Sequence, residues 1–133
     1  MAPQKNLRRQ FAIFALITTV LFAACGGGGS GGSSSDTLPA GLTLTVTAVP
    51  SIRWDSTEFT ASAGENFVGL VNEDTVRHTL IIAKDGTKIP DFKLQAGKKG
   101  EADTGMVTLE AGEYTLLCDV PGHQNMKATL TVS

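Results

Sequence analysis

Residues 114–132, YTLLCDVPGHQNMKATLTV, are the part of the chain that says most about its fold. Both ends of this stretch alternate apolar and polar residues, which is the pattern of β-strands with one buried face. Between them lies a short loop, CDVPGHQNM, that contains a Cys, a His and a Met. Two strands joined by so short a loop hold its side chains in fixed positions, as a metal site requires.

The rest of residues 38–133 also has the pattern of a β-protein. Leu42, Leu44 and Val46 alternate with threonines, and no window shows a helical period. Segments rich in turn formers separate the β-rich runs, at 63–66, 72–74, 84–86 and 110–113. Short strands with regular turns predict an all-β domain, either a two-sheet sandwich or a barrel.

Four residues of this domain are candidate metal ligands. Cys118, His123 and Met126 lie in the loop, and His78 follows an earlier strand and turn. Two imidazoles, a thiolate and a thioether form the ligand set of a type 1 (blue) copper site, with a His₂Cys plane and a weak axial Met. Taken singly, each residue can also be an ordinary core or surface residue. An unpaired thiol is prone to oxidation outside the cytoplasm, and metal ligation would explain why it is retained. The presence of all four candidate ligands in one domain therefore favours a metal site.

The composition excludes several other functions. The chain has 133 residues, 2 Cys and 2 His, so it lacks the histidines for a tri-histidine zinc site and the cysteines for a four-cysteine metal site or a disulfide scaffold. Its formal charge of −2 and its 11 basic residues argue against nucleic-acid binding. Its length fits one domain with appendages.

The first 24 residues have the features of an export signal. Lys5, Arg8 and Arg9 precede an uncharged apolar run at 11–24, which is too short to span a bilayer comfortably. The run ends in LFAAC, which resembles a bacterial lipobox and implies that Cys25 becomes a lipidated N-terminus. The alternatives are an uncleaved anchor and a plain cleaved signal that leaves a free Cys25.

A flexible linker follows the candidate lipidation site. Residues 26–35 consist only of Gly and Ser, a composition that buries nothing and behaves as a loose coil. The predicted organisation is therefore a lipoprotein signal peptide at 1–24, a lipidated Cys and linker at 25–37, and a folded domain at 38–133. Without residues 1–24 the chain retains 8 basic and 13 acidic residues, a net charge of −5, so charged partners are expected to be basic.

The domain resembles the cupredoxins of the plastocyanin/azurin type. The resemblance rests on FTASAGENFVGLVN at 59–72 with the following Asp74 and His78, and on LEAGEYT at 109–115 with CDVPGH at 118–123. It implies a Greek-key β-sandwich with one copper ion. The export signal and the lipobox predict in addition an extracytoplasmic location, anchored by lipid to a bacterial membrane. The resemblance further implies that His78, Cys118 and His123 are equatorial ligands, that Met126 is the axial ligand, and that redox partners dock near His123.

The chain departs from this family in two places. Only Gln124 and Asn125 separate His123 from Met126. This short spacing leaves three alternatives to an axial Met126: its sulfur is displaced from the copper, the site is nearly three-coordinate, or Gln124 is a remote substitute as axial ligand. Met106, the other Met of the domain, is expected in the core. Relatives often have Asn after the first His, where this chain has Thr79. Asn72 is a candidate for a second-shell hydrogen bond, or else an ordinary turn residue.

These observations favour an electron carrier that is not an enzyme and acts as a membrane-tethered monomer. A copper-delivery module uses the same ligands and stays open as an alternative. A nitrite reductase fragment needs further histidines, and a dinuclear copper domain needs two loop cysteines, whereas this loop has only Cys118. A metal-free sandwich used for surface interactions is the remaining possibility.

Overall fold

The computed structural model describes residues 38–133. These residues form ten strands and no helix, so this part of the chain has no helix that is long and apolar enough to cross a membrane. The predicted signal peptide, the lipidated Cys25 and the linker through residue 37 lie outside the described residues.

The ten strands follow one another closely along the chain. They are β1 Leu44–Val49, β2 Arg53–Trp54, β3 Glu58–Ala61, β4 Gly64–Asn72, β5 His78–Lys84, β6 Thr87–Lys88, β7 Leu94–Ala96, β8 Ala102–Leu109, β9 Gly112–Leu117 and β10 Lys127–Val132.

The strands pair into two sheets, which confirms the predicted all-β sandwich. One sheet has the order β2-β1-β4-β8, and the other has the order β3-β10-β9-β5-β6 with β7 paired to β5. Strand β1 runs parallel to β4 and β10 runs parallel to β3, whereas the other pairs are antiparallel. Because parallel neighbours need crossover connections, the chain passes between the sheets rather than meandering within one.

The core lies between the two sheets and follows the sequence alternation. Leu44 and Val46 of β1 are buried, as are Leu116 of β9 and Leu130 of β10, while the residues between them face outward or are half-buried. Strand β5 is different, because every residue from His78 to Ala83 is buried. This strand therefore carries its first residue, the candidate ligand His78, into the interior.

Two expectations from the sequence were wrong in detail. The turn predicted at 63–66 is shorter, because β4 begins at Gly64, whose φ of 110° lies in a region that favours glycine. Met106 is not in the core: its exposure is 52 %, because Val107 and Leu109 of the same strand face inward and Met106 has the opposite parity.

Candidate metal centre

Two neighbouring strands bring the candidate ligands together. Strands β5 and β9 pair antiparallel with Ile81 opposite Leu117, so the beginning of β5 lies beside the end of β9. His78 is the first residue of β5, and Cys118 directly follows β9. Residues 40 positions apart in sequence thus meet at one end of the sandwich.

The structure places His78, Cys118 and His123 in one buried cluster. Their potential ligand atoms all lie within 4.8 Å of one another. The Sγ atom of Cys118 is 3.5 Å from Nδ1 of His123, and the two imidazole centroids are 4.9 Å apart. The exposures of the three residues are 0 %, 5 % and 6 %, in that order. This spacing allows a single ion to contact all three side chains.

The loop between β9 and β10 is held by its own backbone. The His123 N–H donates to the Val120 carbonyl at 3.0 Å, and the Met126 N–H donates to the His123 carbonyl at 2.8 Å. The loop closes where the Cys118 N–H donates to the Met126 carbonyl at 3.3 Å. Gly122 has a φ of 91°, which a residue with a side chain rarely adopts. Met126 is 1 % exposed, so the main chain ties a buried thioether residue to both loop ligands.

Thr79 connects the loop to β5. Its backbone N–H points at the Cys118 Sγ at 3.4 Å, and its hydroxyl donates to Oδ1 of Asp119 at 2.7 Å. The same hydroxyl oxygen accepts the Asp119 N–H at 3.1 Å. A threonine side chain is shorter than the Asn that relatives often have at this position, and here the Asp119 side chain extends the connection. The Thr79 N–H is directed at the sulfur atom that would ligate a metal ion.

Asp119 is ionised in this arrangement. Partial burial raises the pKa of Asp119, but the hydrogen bond from Thr79 and the cations of Lys93 and Lys88 outweigh it and hold the pKa below its ordinary value. The lysine Nζ atoms are 3.0 and 3.5 Å from Oδ2 of Asp119. The carboxylate therefore stays available to accept the Thr79 hydroxyl.

Asn72 acts on the loop before His78 and makes no direct hydrogen bond to a candidate ligand. Its amide donates to the Val76 carbonyl at 2.8 Å and to the Ala96 carbonyl at 3.2 Å. Its Oδ1 accepts the Asp74 N–H at 2.8 Å. Asn72 is fully buried, so these bonds fix the loop from inside.

The two imidazoles each offer a ring nitrogen to an ion. Nδ1 of His78 is buried and has no hydrogen-bond partner among the described residues, whereas its Nε2 is 3.2 Å from Oδ2 of Asp74. Burial and then the neighbouring His78 lower the pKa of His123, and the charge of Asp74 only partly opposes them. The His123 imidazole, the unpartnered Nδ1 of His78 and the Cys118 thiol therefore lie together in the interior. Such a cluster is typical of a metal-binding site, because buried polar atoms in an ordinary core have hydrogen-bond partners.

This donor set suits copper in both of its common oxidation states. Thiolate and thioether are soft ligands that favour Cu(I), and imidazole also suits Cu(II). A copper ion held there would supply a one-electron redox couple. The chain's own part is to keep the ligand atoms in place and to exclude water, which the burial of all three clustered residues achieves.

Sequence reasoning missed the roles of Asp74 and Asp119. Each is an acidic residue within four positions of a candidate ligand, in a loop next to a strand end. That signal is weak, because acidic residues are common in turns. Only the three-dimensional pairing of β5 with β9 shows that Asp119 meets Thr79.

Comparisons with known proteins agree with the site. The family model of copper binding proteins, plastocyanin/azurin family, matches residues 42–133. A search of the curated proteins found no match.

Solved structures share the fold at low sequence identity. Auracyanin from Roseiflexus castenholzii has a TM-score of 0.59 and 22% identity, and the match covers 71% of this chain and 99% of that one. Auracyanin A from Chloroflexus aurantiacus, described as a "blue" copper protein, has a TM-score of 0.59 and 22% identity over 70% of this chain and 100% of that one. An azurin from Methylomonas sp. strain J has a TM-score of 0.59 and 18% identity, with 71% and 99% covered. The match to the family model over most of the chain shows that the protein belongs to the plastocyanin/azurin family of copper binding proteins, the cupredoxins.

Proposed function

We propose that the chain is a membrane-tethered electron carrier with one type 1 copper ion that cycles between Cu(I) and Cu(II). His78, Cys118 and His123 are the equatorial ligands and Met126 is the axial ligand. The observation that carries the proposal is the buried cluster of three ligand atoms within 4.8 Å, with the Nδ1 atom of His78 left unpartnered.

The N-terminal residues supply the tether in this proposal. Cleavage before Cys25 leaves a lipidated cysteine, and the Gly/Ser segment lets the domain move relative to the membrane on the extracytoplasmic side. Labelling with a radioactive fatty acid tests this part. The wild-type chain is expected to incorporate label in a bacterial host, and Cys25→Ser is expected to lose it. Equal labelling of both chains would contradict the tether.

The proposed docking face surrounds His123. Pro121 and Gly122 are exposed, Val120 is half-exposed, and His123 retains 6 % exposure at this end. A small neutral patch permits the brief contacts of weak redox encounters. Replacing Val120 with Asp is therefore expected to slow electron exchange with redox partner proteins, as measured by stopped-flow. Unchanged rates with every physiological partner would refute the docking face.

Copper reconstitution tests the site. Cu(II) added to residues 36–133 is expected to give an intense visible thiolate-to-copper band and the corresponding electron-spin-resonance spectrum, and Cys118→Ser is expected to lose both. A colourless protein with loosely held copper would overturn the proposal.

Copper delivery is the second candidate, because it uses the same ligands. Reversible voltammetry separates the two functions. A carrier cycles rapidly and keeps its copper through many cycles, whereas a delivery module releases Cu(I) to an acceptor chelator. Release of copper after reduction would favour delivery.

A further inference from the structure

The Asp74 carboxylate makes four polar contacts at the edge of the metal centre. The Thr75 N–H and hydroxyl donate to Oδ1 at 2.7 and 3.5 Å, His78 Nε2 lies 3.2 Å from Oδ2, and the Ile52 N–H donates to Oδ2 at 3.4 Å. Asp74 is only 7 % exposed. Its own N–H is held by Asn72 at 2.8 Å, so both its main chain and its side chain are fixed.

The contacts of Asp74 hold its carboxylate in place, since both oxygens are engaged by groups from two different segments of the chain. Ile52 has a φ of 54°, an uncommon conformation for a β-branched residue, and in it the Ile52 N–H reaches the carboxylate.

This contact decides which nitrogen of His78 carries the proton. An ionised carboxylate is a pure acceptor, so His78 must place its hydrogen on Nε2 to bond Asp74. The lone pair then lies on Nδ1, the buried nitrogen that has no partner among the described residues. With the other tautomer, a buried Nδ1–H donor would lack an acceptor there, which costs free energy.

We infer that Asp74 is a positioning residue of the copper site, which fixes the His78 tautomer and, as a buried negative charge, favours Cu(II) over Cu(I). The inference rests on the proposed copper function and deepens it. Carboxylate partners of metal-bound histidines orient the ring and raise its basicity, and their loss typically weakens metal binding about 10–100-fold. A nearby negative charge stabilises the ion of higher charge more strongly.

The reduction potential of the copper-loaded full chain tests this role. In Asp74→Asn, Cu(II) affinity is expected to fall by about 10–100-fold, and Cu(I) affinity is expected to fall less. A tenfold change in the ratio of the two affinities corresponds to a potential higher by about 59 mV. An unchanged potential in a blue Asp74→Asn protein would overturn the inference.

Glu73→Gln is the matched control. Glu73 is the exposed neighbour of Asp74, so this variant removes the same charge from the same loop without touching His78. It is expected to keep the wild-type potential. A rise equal to that of Asp74→Asn would refute the role of the specific contact. A wild-type chain without the blue band would instead contradict the proposed function, so the two failures are distinguishable.

A second measurement needs no variant. In the copper-free full chain, no metal fixes the tautomer, so long-range ¹H–¹⁵N correlation spectra report the effect of Asp74 alone. His78 is expected to show a protonated Nε2 and an unprotonated Nδ1. A mixture of tautomers, or a protonated Nδ1, would overturn the inference even if Asp74→Asn does not fold.

Discussion

Single hydrogen bonds around the metal centre have separable roles. Thr79 ties β5 to the ligand loop, Asn72 shapes the loop before His78, and Asp74 orients the His78 ring. Each of these side chains is buried or nearly so. Removing one partner leaves the other desolvated and unpaired, so the effects are expected to be large for such small changes.

Met126→Leu tests the axial contact, which the short spacing of two residues between His123 and Met126 left open. The substitution keeps a buried side chain of similar size but removes the thioether sulfur. The reduction potential is expected to rise without loss of copper, because a weak axial donor tunes the potential while three ligands retain the ion. Voltammetry and copper analysis check both points. An unchanged potential and an unchanged visible spectrum would show that Met126 is not coordinated.

Thr79→Val tests the bridge between the two ligand segments. The valine keeps the shape but leaves the Asp119 N–H and carboxylate without the hydroxyl, with an expected loss of about 1–3 kcal/mol in unfolding free energy. Urea unfolding of the copper-free protein measures the loss. Thr131→Val, at an exposed position of β10, is the control and should change stability by less than about 0.5 kcal/mol. Equal effects of both variants would count against the bridge.

At the scale of elements, the pairing of β5 with β9 creates the site. The two strands also contribute core residues on their inner faces, including Ile82 and Leu116, which are opposite each other in the register. Both are fully buried. Packing at this pair therefore supports the position of His78 relative to Cys118.

Leu116→Ala tests this packing. The variant opens a cavity under the strand that ends just before Cys118, so the unfolding free energy is expected to fall by about 2–5 kcal/mol. Leu117→Ala is the matched control, because Leu117 is half-exposed on the opposite face and should lose less. Denaturant unfolding of the two copper-free variants gives the comparison. A smaller loss in Leu116→Ala than in Leu117→Ala would contradict the assigned core.

Much of the fold was predictable because alternation reports burial directly. In β1, β9 and β10, the alternate positions that are apolar in the sequence are the positions that are buried in the structure. Strand β5 has no alternation to read, since it is buried on both faces. The core prediction for Met106 was wrong because it followed residue type, whereas the alternation with Val107 and Leu109 puts Met106 on the outer face. The cluster of His78, Cys118 and His123 followed from residue scarcity, whereas the Asp74 contact depends on loop geometry that no local pattern encodes.

For the whole molecule, charge bears on the expected partners and on the pH response. The proposed mature chain of residues 25–133 carries a net charge of −5, so charged partners are expected to be basic. Among the described residues, the pKa values of Asp74 and Asp119 are both lowered in the fold. A carboxylate with a lowered pKa stabilises the fold only while it is ionised.

Acid titration of the copper-free protein tests that coupling through Asp119. Its folded pKa lies below the ordinary value of 3.8, so the unfolded chain binds more protons between the two values. The stability contributed by Asp119 is therefore present above 3.8 and lost as pH falls through the folded pKa. Unfolding free energies of wild type and Asp119→Asn are expected to differ at neutral pH and to converge in acid. Glu113→Gln, at an exposed position of β9, is the control, and a pH-independent gap for Asp119→Asn would contradict the coupling.

The parallel pairing of β10 with β3 has a consequence for synthesis of the chain. Strand β10 lies between β3 and β9, yet it is the last of the described strands to leave the ribosome. Until residues 127–132 emerge, the facing edges of β3 and β9 have no partner, and such open edges invite pairing with other chains. This sheet is therefore completed only when the last strand is available, and until then its two unpaired edges are open to wrong pairing.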